Sequence, residues 1–240
     1  MTIKIGLCGF PKSRKIIFSQ FELVEIQKTF YDPGNPELYT KWREEAPKNF
    51  EFTVKAWQGV THPASSPTWK RFKGVLWGKI DNYGELKDTE EVRYAFKLSL
   101  DILRRLDGDK MVIQLPPRQV YRDENLKILG GFVEEGIFIC LEPRNKSWFK
   151  EEVIESLKSI GIVFVTDPFK NGIIDINEEL IYLRLHGIGG YKYRYSDEDL
   201  EKLYMMIKDY IESKDVYILF NNVYMYQDAL RFRKLLTSHT

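Results

Sequence analysis

Eight short apolar runs recur along the chain, and most of them end in a polar or charged residue: residues 3–8 (IKIGLC), 21–26 (FELVEI), 50–57 (FEFTVKAW), 111–115 (MVIQL), 137–142 (IFICLE), 162–167 (IVFVTD), 181–186 (IYLRLH) and 216–221 (VYILFN). Each has the length and the β-branched, aromatic content of a strand. Between them lie stretches able to form helices, such as residues 90–106 and 196–211, so the order reads strand, helix, strand, helix. Eight such units predict an α/β fold, a TIM-type (β/α)8 barrel, with its site at the C-terminal ends of the strands. Side chains alternate along a strand, so residues two apart share a face. On that rule Glu25 goes with Gln27, Lys55 with Trp57, Glu142 with Arg144 and Arg184 with His186, while Gln114, Asp167 and Asn222 add polar groups at comparable heights. An unpaired charge in an apolar interior costs several kcal/mol, on the order of 3–5, so the polar set is expected at the barrel mouth and the apolar set under the helices.

A barrel of this type commonly takes roughly 200 to 250 residues, so the 240 residues predict one domain spanning 1–240. No apolar run approaches the roughly 20 residues of a membrane span, and MTIKIGLC reads as strand rather than as a leader; the expectation is a soluble, cytoplasmic protein. The two cysteines, Cys8 and Cys140, fall in the first and fifth strands, too far apart for a disulfide, which suits a reducing compartment. A net charge of +1 gives no global pull towards nucleic acid or a membrane, so no membrane partner is expected and any anion must be met locally. Two segments break the pattern. Residues 61–89 form a long irregular stretch after the third strand, a candidate lid, and residues 187–195 (GIGGYKYRY) place tyrosines between cations. Ser196 then starts a helix with Asp197, Glu198 and Asp199 in its first turn, where they suit the dipole.

Several short motifs follow one another in a specific order: VEIQKTFY (24–31), FEFTVKAW with VTHP (50–63), IQLPP (113–117), LEPRNKSW (141–148), LRLHG (183–187) and LFNN (219–222). Taken together they resemble the YecE-like proteins, the domain-of-unknown-function 72 family, over nearly the whole chain. The resemblance implies a TIM-type barrel and brings no assigned reaction. This chain departs from the family pattern at Gln27, where asparagine is usual, and in GFPKSRK, which stands in place of a GTSGW-like turn.

Glu142 is the candidate general acid or base, because an inward carboxylate can be raised by burial and lowered by Arg144 or Arg184; pairing with an arginine alone is the competing reading. His186 is its candidate partner in proton exchange, against the alternative of a hydrogen-bonded histidine that shapes the turn. Lys55, Arg144 and Arg184 come from the third, fifth and seventh strands, and a guanidinium fork suits phosphate or carboxylate. The alternative is a closed salt network with Glu25, Glu142 and Asp167. Gln114, Asn221 and Asn222 would orient a substrate through neutral hydrogen bonds, with Gln27 and His62 in the same binding set. Rings at Tyr31, Trp57, Trp148 and Tyr193 can stack on a base or sugar, although each also fits plain packing. Glu25, Glu142, Asp167 and His186 include metal-binding types, yet no H-x-H spacing occurs and histidine is scarce, so no metal is expected. GIGG (187–190) lacks the rest of a dinucleotide or phosphate-loop fingerprint, and no cofactor is expected. The reading is a metal-independent hydrolase or lyase acting on a small anionic, phosphorylated or nucleotide-like ligand. Its rivals are a nucleic-acid-binding barrel, architecturally like DNA-repair phosphodiesterases, and a non-catalytic scaffold; the oligomeric state is left open.

Overall fold

All eight apolar runs form strands in the computed structural model, which describes residues 2–239, and the fold class is the TIM-type (β/α)8 barrel. The strands are β1 (Ile3–Cys8), β2 (Leu23–Ile26), β3 (Glu51–Lys55), β4 (Lys110–Gln114), β5 (Phe138–Glu142), β6 (Val163–Phe164), β7 (Leu180–Leu185) and β8 (Asp215–Phe220). The helices are α1 (Arg14–Gln20), α2 (Lys28–Tyr31), α3 (Glu37–Glu45), α4 (Glu90–Arg105), α5 (Asp123–Gly130), α6 (Glu151–Ser159), α7 (Pro168–Asn171), α8 (Asp197–Ile207) and α9 (Met225–His239). Most strands match the apolar runs to within a residue or two. Strand β6 is the exception, with two residues where the run has six. Pro168 explains part of this: it has no N–H, restrains the residue before it and opens α7, whose N-cap Asp167 accepts from Phe169 N. Beyond β6, only a bridge from Thr166 to Leu183 continues the pairing.

Two compact units divide the chain. The terminal unit comprises Met1–Glu25 and Phe164–Thr240, and the central unit Ile26–Val163. In the terminal unit β1 runs parallel to β2 and β8, and β8 runs parallel to β7. Strand β7 is buried along its whole length, as a parallel strand covered on both faces should be, and this burial includes Arg184. In the central unit β3, β4 and β5 run parallel, and the register sets Gln114 beside Glu142. Helix α4 buries Val92, Ala95, Phe96, Ser99 and Leu103 on one face, a helical spacing, and Thr89 caps it by accepting from Val92 N.

The irregular segment after β3 is ordered by a cluster of rings. Trp57 meets Trp69, Phe72 and Tyr83 at centroid distances of 5.7, 5.2 and 5.4 Å. Gly84 closes this segment: its φ of +82° belongs to glycine, and a Cβ there would lie 2.3 Å from the carbonyl oxygen of His62. Among the described residues no helix is long and apolar enough to cross a membrane. Cys8 and Cys140 are both buried.

Candidate functional site

The central unit gathers its polar groups where β3, β4 and β5 end. Lys55 closes β3, Gln114 closes β4 and Glu142 closes β5, with Arg144 two residues further on. Lys55 Nζ donates to Gln114 Oε1 at 3.0 Å, and Arg144 Nη2 donates to the same oxygen at 3.3 Å and to Glu142 Oε1 at 2.8 Å. Two cations therefore meet on one neutral acceptor, beside a buried carboxylate. Phe30 supports the group: Lys55 Nζ stands 3.8 Å from its ring centroid, and the His62 ring meets its edge at 4.8 Å. The Thr29 hydroxyl fixes the end of β3 by donating to the Lys55 carbonyl at 2.6 Å.

His62 registers the local field. Burial pushes its pKa down to about 4, and the positive charges of Lys55 and Arg144 add to the shift, so the ring is neutral at physiological pH. Its Nδ1 shares a 2.8 Å hydrogen bond with the Thr61 hydroxyl. A neutral imidazole, two cations and a carboxylate at adjacent strand ends can hold an anionic group and move a proton.

Other expected site residues of this unit are engaged in packing. Trp57 lies within the ring cluster, and Trp148 is buried with Nε1 donating to the Gln119 carbonyl and its ring against Tyr121. Tyr31 carries the Arg71 guanidinium 3.5 Å over its ring, and Gln27 stands as the N-cap of α2.

In the terminal unit the same residue types build something different. Arg184 grips Glu25 with both arms of its fork, Nε to Oε2 at 3.0 Å and Nη2 to Oε1 at 2.7 Å, and Tyr182 OH donates to Oε2 at 2.9 Å. Neither side chain of the pair has any solvent exposure. A ligand would have to share Arg184 with Glu25. The same unit also holds His186, whose Nδ1 faces Asn221 Nδ2 at 3.1 Å and whose backbone N–H donates to Asp167 Oδ2 at 3.0 Å. Asn222 is buried and donates to Asp228 Oδ2 and to the Tyr193 carbonyl, both at 2.8 Å. Burial raises the Asp228 carboxyl above its ordinary range, and the hydrogen bonds from Asn222 and Tyr195 N work against that rise.

The glycine and tyrosine loop after β7 does not display all its rings. Tyr195 is buried and accepts from Gly187 N at 2.8 Å, and Tyr193 OH donates to Asp199 at 2.7 Å; Tyr191 is the exposed ring of the three. Gly187, at φ +87°, is required because a Cβ would meet the Gly190 carbonyl oxygen at 2.2 Å. The helix that follows starts as expected, with Ser196 and Asp199 in a reciprocal capping box. The His239 side chain lies outside the described residues.

Tyr182, Phe30 and Thr61 take part in these clusters without having been singled out as candidates in the sequence. Tyr182 stands two residues before Arg184, so the alternation rule that paired Arg184 with His186 points to it as well. Phe30 and Thr61 carry no comparable signal. Among the described residues no three His, Cys, Asp or Glu side chains come together in a group fit for a metal ion.

Comparison with known proteins adds the following. The profile of the family described as "Protein of unknown function DUF72" matches residues 15–240. The UPF0759 protein YunF of Bacillus subtilis (strain 168) is 30% identical over 238 residues, covering 85% of this chain and 78% of that protein. A crystal structure of a DUF72 family protein from Enterococcus faecalis V583 superposes with a TM-score of 0.76 at 19% identity, over 98% of each chain. More distantly, an AP endonuclease, family 2, from Brucella melitensis shares the fold, with a TM-score of 0.56 at 10% identity and 92% of each chain covered.

Proposed function

Because the chain belongs to the DUF72 family, whose description assigns no activity, we propose on the geometry alone that the central unit binds a small phosphorylated or carboxylated molecule and acts on it as a hydrolase or lyase. The observation behind this reading is the convergence of Lys55 and Arg144 on Gln114 Oε1, in a field positive enough to help hold His62 neutral. An incoming anion takes the place of the amide oxygen as acceptor for both cations and gains charge-assisted hydrogen bonds. Glu142, buried but tethered to Arg144, exchanges the proton with the substrate. His62 offers a neutral donor or acceptor beside it.

The nucleic-acid reading needs open rings between cations. Of the rings in the two irregular segments, Tyr193, Tyr195 and Trp69 are engaged by hydrogen bonds or buried and only Tyr191 and Trp77 are open, too few to stack a run of bases, and the likeness to the Brucella protein speaks for the fold only. The small-anion reading is therefore preferred.

The test starts with a thermal-shift screen against inorganic phosphate, sugar phosphates, nucleotides and carboxylates, followed by turnover assays on whatever binds. Glu142→Gln should lower turnover by about 10²- to 10⁴-fold while leaving ligand affinity intact. Unchanged turnover would remove Glu142 from the chemistry, and the absence of any ligand would favour the scaffold reading.

A further inference from the structure

A second feature of the central unit lies outside the cluster of strand-end charges. Between Glu51 and Asp81 the sequence contains no acidic residue but five cations, Lys55, Lys70, Arg71, Lys73 and Lys79, in a chain whose overall charge is only +1. Four of them flank the short apolar sequence Val75, Leu76, Trp77. Lys70, Arg71, Lys73 and Lys79 are all exposed, and the first three form no ion pair among the described residues. Val75 is 97% exposed, Trp77 46% and Ile80 39%, and Tyr94 at 38% lies with its ring 5.0 Å from that of Trp77.

Folding alone does not account for three large apolar side chains left in water within six residues, one of them against the exposed Tyr94 ring; apolar side chains exposed together and flanked by charge mark an interaction surface. The loop is held out rather than loose. Tyr83 OH donates to the Trp77 carbonyl at 2.6 Å, and Glu91 Oε1 accepts from Lys79 N at 3.1 Å and from Asn82 Nδ2 at 2.8 Å, which ties the C-terminal side of the tip to the start of α4, while Phe72 before the tip packs against Trp57. Gly78, at φ +70°, makes the turn between them.

We infer that the loop 70–80 is a docking element for an anionic lipid surface, with Val75 and Trp77 entering the headgroup boundary while Lys70, Arg71, Lys73 and Lys79 meet the lipid phosphates. The chemistry favours a bilayer over other polyanions. Valine and isoleucine have no ring face to stack on a base, whereas a hydrocarbon tip between lysines, with a tryptophan at its base, suits the water–lipid boundary. A second copy of the chain would bring like charges together. The overall charge hides this surface because acids elsewhere balance the sum, the nearest in sequence being Asp81, Glu85 and Asp88. The inference is independent of the anion site, since none of its residues belongs to that cluster.

Flotation of the whole protein with phosphatidylcholine vesicles, with and without phosphatidylglycerol, tests it. Partition should require phosphatidylglycerol and weaken with salt. Of the five tryptophans Trp77 alone is exposed, so binding should shift the emission to the blue, and the shift should vanish in Trp77→Phe. Val75→Asp should cut partition at least tenfold, and Lys73→Gln about fivefold; both positions are open to water, so melting curves should match the wild type. Equal partition to both vesicles, no partition to either, indifference to Val75→Asp, or capture by single-stranded DNA without capture by vesicles would each overturn the proposal.

Discussion

Two glutamate–arginine pairs occupy strand ends in this chain, one in each unit, and their surroundings differ sharply. Glu25 and Arg184 have no solvent exposure, meet through both arms of the guanidinium and are completed by the Tyr182 hydroxyl. In the Glu142–Arg144 pair Nη2 reaches both Glu142 and Gln114, and the arginine side chain is 33% exposed. The first pair resembles a finished structural joint. The second keeps a solvent-facing cation next to a buried acid, which is the condition for taking up a ligand and moving a proton. Residue types are the same in both, but Arg184 lies within β7 and Arg144 beyond the end of β5, so burial and second partners separate a structural role from a chemical one.

The largest contrast is expected in stability. Arg184→Leu leaves Glu25 as a buried charge without its main partner and should cost about 3–5 kcal/mol in urea unfolding, whereas Glu25→Leu combined with Arg184→Leu should recover much of that loss. A loss below about 1 kcal/mol in the single variant would mean that the joint is not closed. Next comes pH. The folded chain keeps His62 neutral down to about pH 4, while the unfolded chain protonates it near 6.5; in that window the unfolded state binds the extra proton, so stability falls as pH drops, by up to about 3 kcal/mol. His62→Gln should flatten the pH dependence between those values, and an unchanged slope would show that His62 does not carry it. Tyr182→Phe should cost about 1–3 kcal/mol, because a buried carboxylate loses a donor. At the small end, Arg144→Met should cost about 1–2 kcal/mol, less than Arg184→Leu because Arg144 is partly in water although Glu142 is buried. A loss as large as that of Arg184→Leu would erase the distinction between the two pairs.

Much of the fold was legible because apolar runs of strand length are a direct record of burial on two faces. IVFVTD reads as six strand residues, but the regular strand spans Val163–Phe164, a bridge at Thr166 follows, and Pro168 then starts a helix, a steric stop that composition alone does not weigh. The candidate site was legible as a list of polar strand ends, not as an arrangement. Nothing in FELVEI or IYLRLH says that Glu25 and Arg184 find each other, and nothing in LEPRN says that Arg144 stays partly in water. The tyrosines of GIGGYKYRY read as presented rings; whether a phenol meets solvent or a buried partner depends on contacts such as Gly187 N to Tyr195 that are distant from pattern and spacing. The patch at residues 70–80 was concealed differently, by averaging charge over the whole chain.

The most direct test of the central claim is a thermal-shift titration of the wild type and of the Lys55→Met, Arg144→Met double variant with inorganic phosphate, glucose 6-phosphate and adenosine monophosphate. The account predicts that at least one of these raises the melting temperature of the wild type in a saturable way and leaves that of the folded double variant unmoved. A saturable shift that survives in the double variant would contradict it.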